Sequence, residues 1–69
     1  MVPMANLKAE MVRKNVTVRD VARVLGVSER TAANKLSGRG QFRSSEMFRL
    51  QRVLFPERFI HYLFGGSTL

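Results

Sequence analysis

The chain has 69 residues, no cysteine, a single histidine and a formal charge of +7, with a pI near 11.5. Those values exclude a disulfide framework and a thiolate metal site, and they bound the chain to one domain whose folding buries only about 60% of its unfolded surface. So positive a chain points to a polyanionic partner, and so small a one gains from pairing with a second copy.

In chain order, Met1 to Met4 read as a ragged start, since Pro3 opposes helix there. Met4, Leu7 and Met11 then fall three and four apart. This spacing predicts a helix over 5–14, with Asn6 as the candidate cap and Lys8, Glu10 and Arg13 on the outer side. Lys14 places positive charge in the last turn, and Asn15 tolerates the left-handed conformation of a helix stop. Val16 resumes the core.

The stretch TVRDVARVLGVSERTAANKLSG, from Thr17 to Gly38, carries the strongest pattern. Thr17 and Asp20 have capping-box spacing, Gly26 breaks the first apolar period, and Ser28 can cap a second start. Two short helices about a glycine turn follow, which is a helix-turn-helix. On the first, Val18, Val21, Ala22 and Leu25 face a core while Arg19 and Arg23 face out. The second holds only Ala32, Ala33 and Leu36 as apolar residues, against Glu29, Arg30, Asn34 and Lys35. A helix so poor in core residues adds little stability, so its exposed side is expected to contact something outside the protein. Its polar types suit base edges.

The loop GRGQFRSS has two glycines, two arginines and Phe42 as its one aromatic pin, a composition suited to crossing a phosphate backbone. Ser44 or Ser45 can cap a fourth helix with Met47, Leu50 and Leu54 on one side and Phe48 and Phe55 beside them, ending before Pro56. Pro56 suits the first turn of a fifth helix, PERFIHYLF, with Glu57 at the positive end of its dipole. Phe59 with Leu63 and Ile60 with Phe64 form adjacent pairs four apart. Gly65 and Gly66 are expected to stop this helix, leaving Ser67 to Leu69 as a mobile tail.

Charge is concentrated. Between Arg13 and Arg43 eight basic residues stand against Asp20 and Glu29, giving +6, while the rest of the chain carries +1. This is the footprint expected for DNA. No apolar run approaches the ~20 residues needed to span a bilayer, and the N-terminus lacks a secretory pattern, so a cytoplasmic location is expected. Nothing supports catalysis. His61 reads as a partly exposed helix residue, the serines lack a base partner, and GRG has neither a preceding strand nor a following Lys-Ser/Thr. No enzyme activity, metal, cofactor or small-molecule ligand is expected.

The segments NLKAEMVRKNVTVRDVARVLGVSERTAANKLSGRGQF and LQRVLFPERFIHYLF together resemble the Cro/phage-repressor, or lambda-repressor-like, helix-turn-helix family, and specifically its small prophage-type regulators. Ala22, Gly26 and Val27 stand where that family's turn wants a small residue, a glycine and an apolar one. The resemblance implies one all-α domain of five helices over 1–69, with an ordered core of about 5–64 and helices two and three as the DNA-reading pair. It implies a bacterial or phage-encoded transcriptional regulator, by preference a repressor, bound as a homodimer to a pseudo-palindromic operator.

Carried across residue by residue, Ser28 caps the recognition helix and touches a phosphate, while Glu29, Arg30 and Asn34 reach base edges and Thr31 reads a base or contacts backbone. Arg30 suits guanine O6 and N7, Asn34 suits adenine N6 and N7, and Glu29 suits cytosine N4. Arg19, Lys35, Arg39, Gln41 and Arg43 are the further phosphate contacts. Phe59, Ile60, Tyr62 and Phe64 either form a dimer surface or complete the core. Three positions depart from the pattern. Val18 replaces a glutamine that bonds a phosphate, so that anchor is missing or passes to Arg19; Ala32 replaces a larger core residue; Lys35 replaces an apolar one. Two rival expectations stand beside it: a protein of this same fold that binds protein, antitoxin-like or a phage accessory module, and touches DNA without sequence preference; and a basic amphipathic membrane binder, helical only with anionic vesicles.

Overall fold

A computed structural model describes residues 4–65, so the expectations for Met1 to Pro3, Gly66 and the tail Ser67 to Leu69 lie outside the described residues. Five helices follow one another: α1 Ala5–Lys14, α2 Val18–Leu25, α3 Glu29–Leu36, α4 Ser44–Leu54 and α5 Ile60–Gly65, with no strand among the described residues. The all-α expectation holds.

Local chemistry sets most of the helix ends. Thr17 Oγ1 accepts from Asp20 N at 3.2 Å while Asp20 Oδ2 accepts from Thr17 N at 2.9 Å, the reciprocal cap its spacing predicted. Gly26 closes α2 with φ +72°, and a side chain there would meet open space, so conformation rather than crowding asks for glycine. Asn15 ends α1 at φ +59°, as expected of an asparagine stop.

Other ends depart from expectation. Asn6 does not cap α1; the chain enters through Met4 at φ +57°, and Asn6, already inside the helix, donates Nδ2 to the Tyr62 carbonyl at 2.8 Å. Neither Ser44 nor Ser45 caps α4. Arg43 holds that place because the Glu46 carboxylate, three residues on, accepts from Arg43 N at 2.9 Å. The fifth helix starts at Ile60 rather than Pro56. Residues 56–58 form a turn in which Arg58 N donates to the Phe55 carbonyl at 3.0 Å, and Gln51 Nε2 donates to the Arg58 carbonyl at 2.9 Å and more loosely to that of Phe55 at 3.4 Å. Gln51 thus occupies carbonyls that a first helical turn would use. Glu57, freed from any helix end, pairs with Lys14 Nζ at 2.8 Å.

The core joins Leu7 and Met11 of α1, Val21, Ala22 and Leu25 of α2, Ala32 and Leu36 of α3, Leu50 of α4, Phe55 and Leu63. Each large apolar side chain removed from water contributes about 1.5–3 kcal/mol. α2 packs on α3 and α4, α1 on α5, and α4 on α5. Of the two phenylalanines flanking the α4 stripe, Phe55 is buried and Phe48 lies half in solvent.

Glu10 reverses its expected place. Only 1% of it is exposed, because α5 covers it: Tyr62 Oη donates to Oε2 at 2.8 Å and Arg58 Nε to Oε1 at 3.1 Å. Hydrogen bonding by Tyr62, with the positive charges of Arg58 and Arg13, outweighs burial and holds this carboxyl below the usual glutamate range. The same bond pushes the Tyr62 phenol upward.

Candidate nucleic-acid interface

The α2–α3 unit is built on a narrow seat. Ala32 and Leu36, four apart, are the buried residues of α3, so the helix rests against α2 along one line of contact. Ser28 Oγ accepts from Thr31 N at 3.1 Å, satisfying an orphan donor of the first turn, and itself donates to Thr31 Oγ1 at 3.0 Å. Glu29, Arg30, Thr31 and Ala33 are exposed and Asn34 is half-buried.

Side-chain bonds along α3 and its flanks, among the described residues, belong to Ser28, Glu29, Thr31, Lys35 and Ser37. The guanidinium of Arg30 and the amide of Asn34 remain open to a partner. Asn34 instead contributes its backbone: its carbonyl accepts from Arg39 N at 2.9 Å and Gly40 N at 3.1 Å, folding the following loop back on the helix end.

The residues expected on phosphates divide into three groups. Arg39, Gln41 and Arg43 are exposed on the 37–43 loop. That loop is not slack: Gly38 takes φ +89°, and Phe42 meets Phe64 edge to face with ring centroids 5.3 Å apart. Arg19 is exposed but paired, its Nε donating to Glu29 Oε2 at 3.2 Å across the α2–α3 junction.

Lys35 requires a correction. Its side chain is 13% exposed, and its ammonium donates to the Gln41 carbonyl at 2.9 Å and to Glu46 Oε1 at 3.1 Å, 6.0 Å from the Phe42 ring centroid. An ammonium so engaged braces the loop against α4 and is not offered to a phosphate. The Arg43 N–H, ahead of Lys35 itself, holds the Glu46 carboxyl below its ordinary range.

The four aromatic and aliphatic residues proposed for a dimer surface do not form one face. Phe59, 82% exposed, shares a cleft with Tyr62, Glu57 and Arg58. Ile60 and Phe64 instead line a second cleft of about 370 Å³ with Ser44, Met47, Phe48 and His61. Sequence reasoning placed Met47 and Phe48 on and beside the α4 core stripe and so passed over them as surface residues, whereas His61 is exposed as expected; the signal lay in Phe48, an aromatic off that stripe.

A third, apolar cleft of about 410 Å³ runs beside α3 between Met11, Val12, Val16, Val18, Ala33 and Leu36, with Lys8, Thr17 and Ser37 at its edges. Val12, an exposed apolar residue off the α1 stripe, was its sequence signal.

Among the described residues no group of three or more His, Asp or Glu side chains could hold a metal ion, and no helix is long and apolar enough to cross a membrane. Compared with known protein families, with curated proteins and with solved structures, the chain matches none of them.

Proposed function

We propose that this chain is a sequence-specific double-stranded DNA-binding regulator in which α2, the Gly26 turn and α3 act as a helix-turn-helix and α3 enters the major groove. One observation carries the reading: on a chain of charge +7, α3 is held by two buried residues and leaves the side chains of Arg30, exposed, and Asn34, half-buried, without a hydrogen bond among the described residues. The chemistry of those groups fits base edges, Arg30 to guanine, Asn34 to adenine and Glu29 to the amino group of cytosine, with Thr31 beside them. Ser28, Arg39, Gln41 and Arg43 meet the phosphates on either side, and Lys35 does not.

The regulator acts as a dimer. A strongly basic chain cannot pair through its basic faces without self-repulsion, whereas the cleft lined by Met47, Phe48, Ile60 and Phe64 carries His61 as its one ionisable residue. That cleft is the surface we assign to the second copy. Two recognition helices roughly 34–36 Å apart then read a pseudo-palindrome, and occupancy of the site blocks polymerase.

Selection from a randomised duplex library tests the reading. Wild type enriches a two-fold symmetric site; Arg30→Ala and Asn34→Ala each relax preference at one base position, by about 1–3 kcal/mol. Arg39→Ala weakens all sequences alike and reduces the salt slope by about one. Equal behaviour of the two kinds of variant rejects the division of roles. A second reading, a protein-binding module of the same fold, is favoured by the apolar cleft beside α3. It predicts that no sequence is enriched and that Arg30 and Asn34 are dispensable.

A further inference from the structure

Arg19 and Glu29 come from different helices, and each was expected to touch DNA on its own account. Instead they bond to each other, Nε to Oε2 at 3.2 Å, with side chains 72% and 58% exposed. Neither is needed to close the core. From this pair, and resting on the DNA-binding reading above, we infer that Glu29 is an internal substitute for a phosphate that keeps Arg19 occupied until the correct base pair claims the carboxylate.

Three observations support the exchange. First, the Arg19 side chain is mostly in solvent and lies outside the core cluster, so its guanidinium can swing to a phosphate without breaking any contact of the core. Second, exposed ion pairs of this kind hold by a factor of only roughly one and a half to five, weak enough for a better partner to displace. Third, the other nearby acid cannot take over: Asp20 is bound to Thr17 N at 2.9 Å and Thr17 Oγ1 at 3.1 Å and lies 3.7 Å from Arg23. Among the described residues Glu29 is therefore the one acid that Arg19 bonds, and in the reading above that same carboxylate meets a base.

The consequence is a conditional phosphate contact. On a sequence that offers Glu29 no amino donor, the pair persists and Arg19 releases no counter-ion from the DNA. On the correct sequence cytosine N4–H takes the carboxylate, Arg19 turns to the backbone, and one further counter-ion is released. Specificity is raised by suppressing affinity for wrong sites as well as by improving the right one.

Salt titrations monitored by fluorescence anisotropy, on the selected operator and on a scrambled duplex, test this with wild type, Glu29→Gln, Arg19→Ala and the double variant. Glu29→Gln should tighten binding to the scrambled duplex roughly two- to five-fold and steepen its salt slope by about one. In the Arg19→Ala background it should do neither. Arg19→Ala should flatten the slope by about one on the operator and leave it unchanged on the scrambled duplex.

If Glu29→Gln acts equally in both backgrounds, its effect is net charge alone and the inference is overturned. It is overturned equally if Arg19→Ala flattens both duplexes alike, although the operator and its readout by Arg30 and Asn34 would then stand. A wild-type selection that enriches no sequence removes the DNA-binding reading and this inference with it.

Discussion

Asn6 and Asn34 are the same residue on two helices, and so are Arg58 and Arg30 on two other segments, yet the chain treats each pair oppositely. Along the seam where α1 meets α5 and the turn before it, the chain answers its own polar groups: Asn6 by the Tyr62 carbonyl, Arg58 and Tyr62 by Glu10, Lys14 by Glu57 and the Leu54 carbonyl. On the outer side of α3, Arg30 and Asn34 have no such partner among the described residues. A polar side chain that its own chain satisfies is structural, whereas one left open at the surface of a helix with little core is available to a ligand.

Substitutions can break or sharpen that contrast. The largest effect belongs to the core behind the seam: Phe55→Ala should cost about 3–5 kcal/mol by chemical denaturation, since Phe55 is fully buried. A loss under about 1 kcal/mol would mean that the polar seam, not apolar packing, holds this end together.

Acid should act next. The carboxyls of Glu10, Asp20, Glu46 and Glu57 all lie below their ordinary values, held down chiefly by hydrogen bonds from Tyr62, Thr17, Arg43 and Lys14 respectively. Depressed carboxyls stabilise the fold above the unfolded-state range, so that stability is complete at neutral pH. It is lost as pH falls through about 4.5 toward the lower folded values. Melting temperature against pH should therefore be level above pH 5 and fall below it. Glu10→Gln combined with Tyr62→Phe should make the fall shallower, while Arg30→Ala should leave its shape unchanged.

The smallest effect is the most telling. Arg30→Ala and Asn34→Ala should change stability by no more than about 0.5 kcal/mol, as expected where a side chain serves no internal contact. A loss above about 1 kcal/mol in either would show that the chain itself uses the outer side of α3 and would erase the contrast.

What could be read from the sequence was what neighbours in the chain decide. The reciprocal Thr17–Asp20 cap, the Gly26 and Asn15 stops, the Ser28 cap and the bounds of α1 each depend on residues within one or two turns. The open side of α3 was legible for the same reason, since its shortage of apolar residues is visible within eight positions.

Long-range partners hid the rest. An acid at Glu10 looks like a surface residue until Arg58 and Tyr62, 48 and 52 residues away, arrive to bury it. Charge counting was misled likewise: Lys14 and Lys35 belong to the basic segment in sequence, yet Glu57 and Glu46 from beyond it neutralise them in space. Lys35, expected on a phosphate, is turned inward on that account. Phe59 and Ile60 looked like one apolar patch, but Phe59 stands just before α5 while Ile60 begins the helix, and the two open into different clefts.

Gln51 gives the corner between α4 and α5 an unusual dependence. The carbonyls of Phe55 and Arg58 are gathered by one amide that belongs to the preceding helix, so the heading of the last helix is inherited from a residue fixed before the chain bends. Lengthening the 56–58 turn by one residue would pull the Arg58 carbonyl off the amide and rotate Tyr62 away from Glu10. The final helix is steered from behind, like a trailer from its hitch.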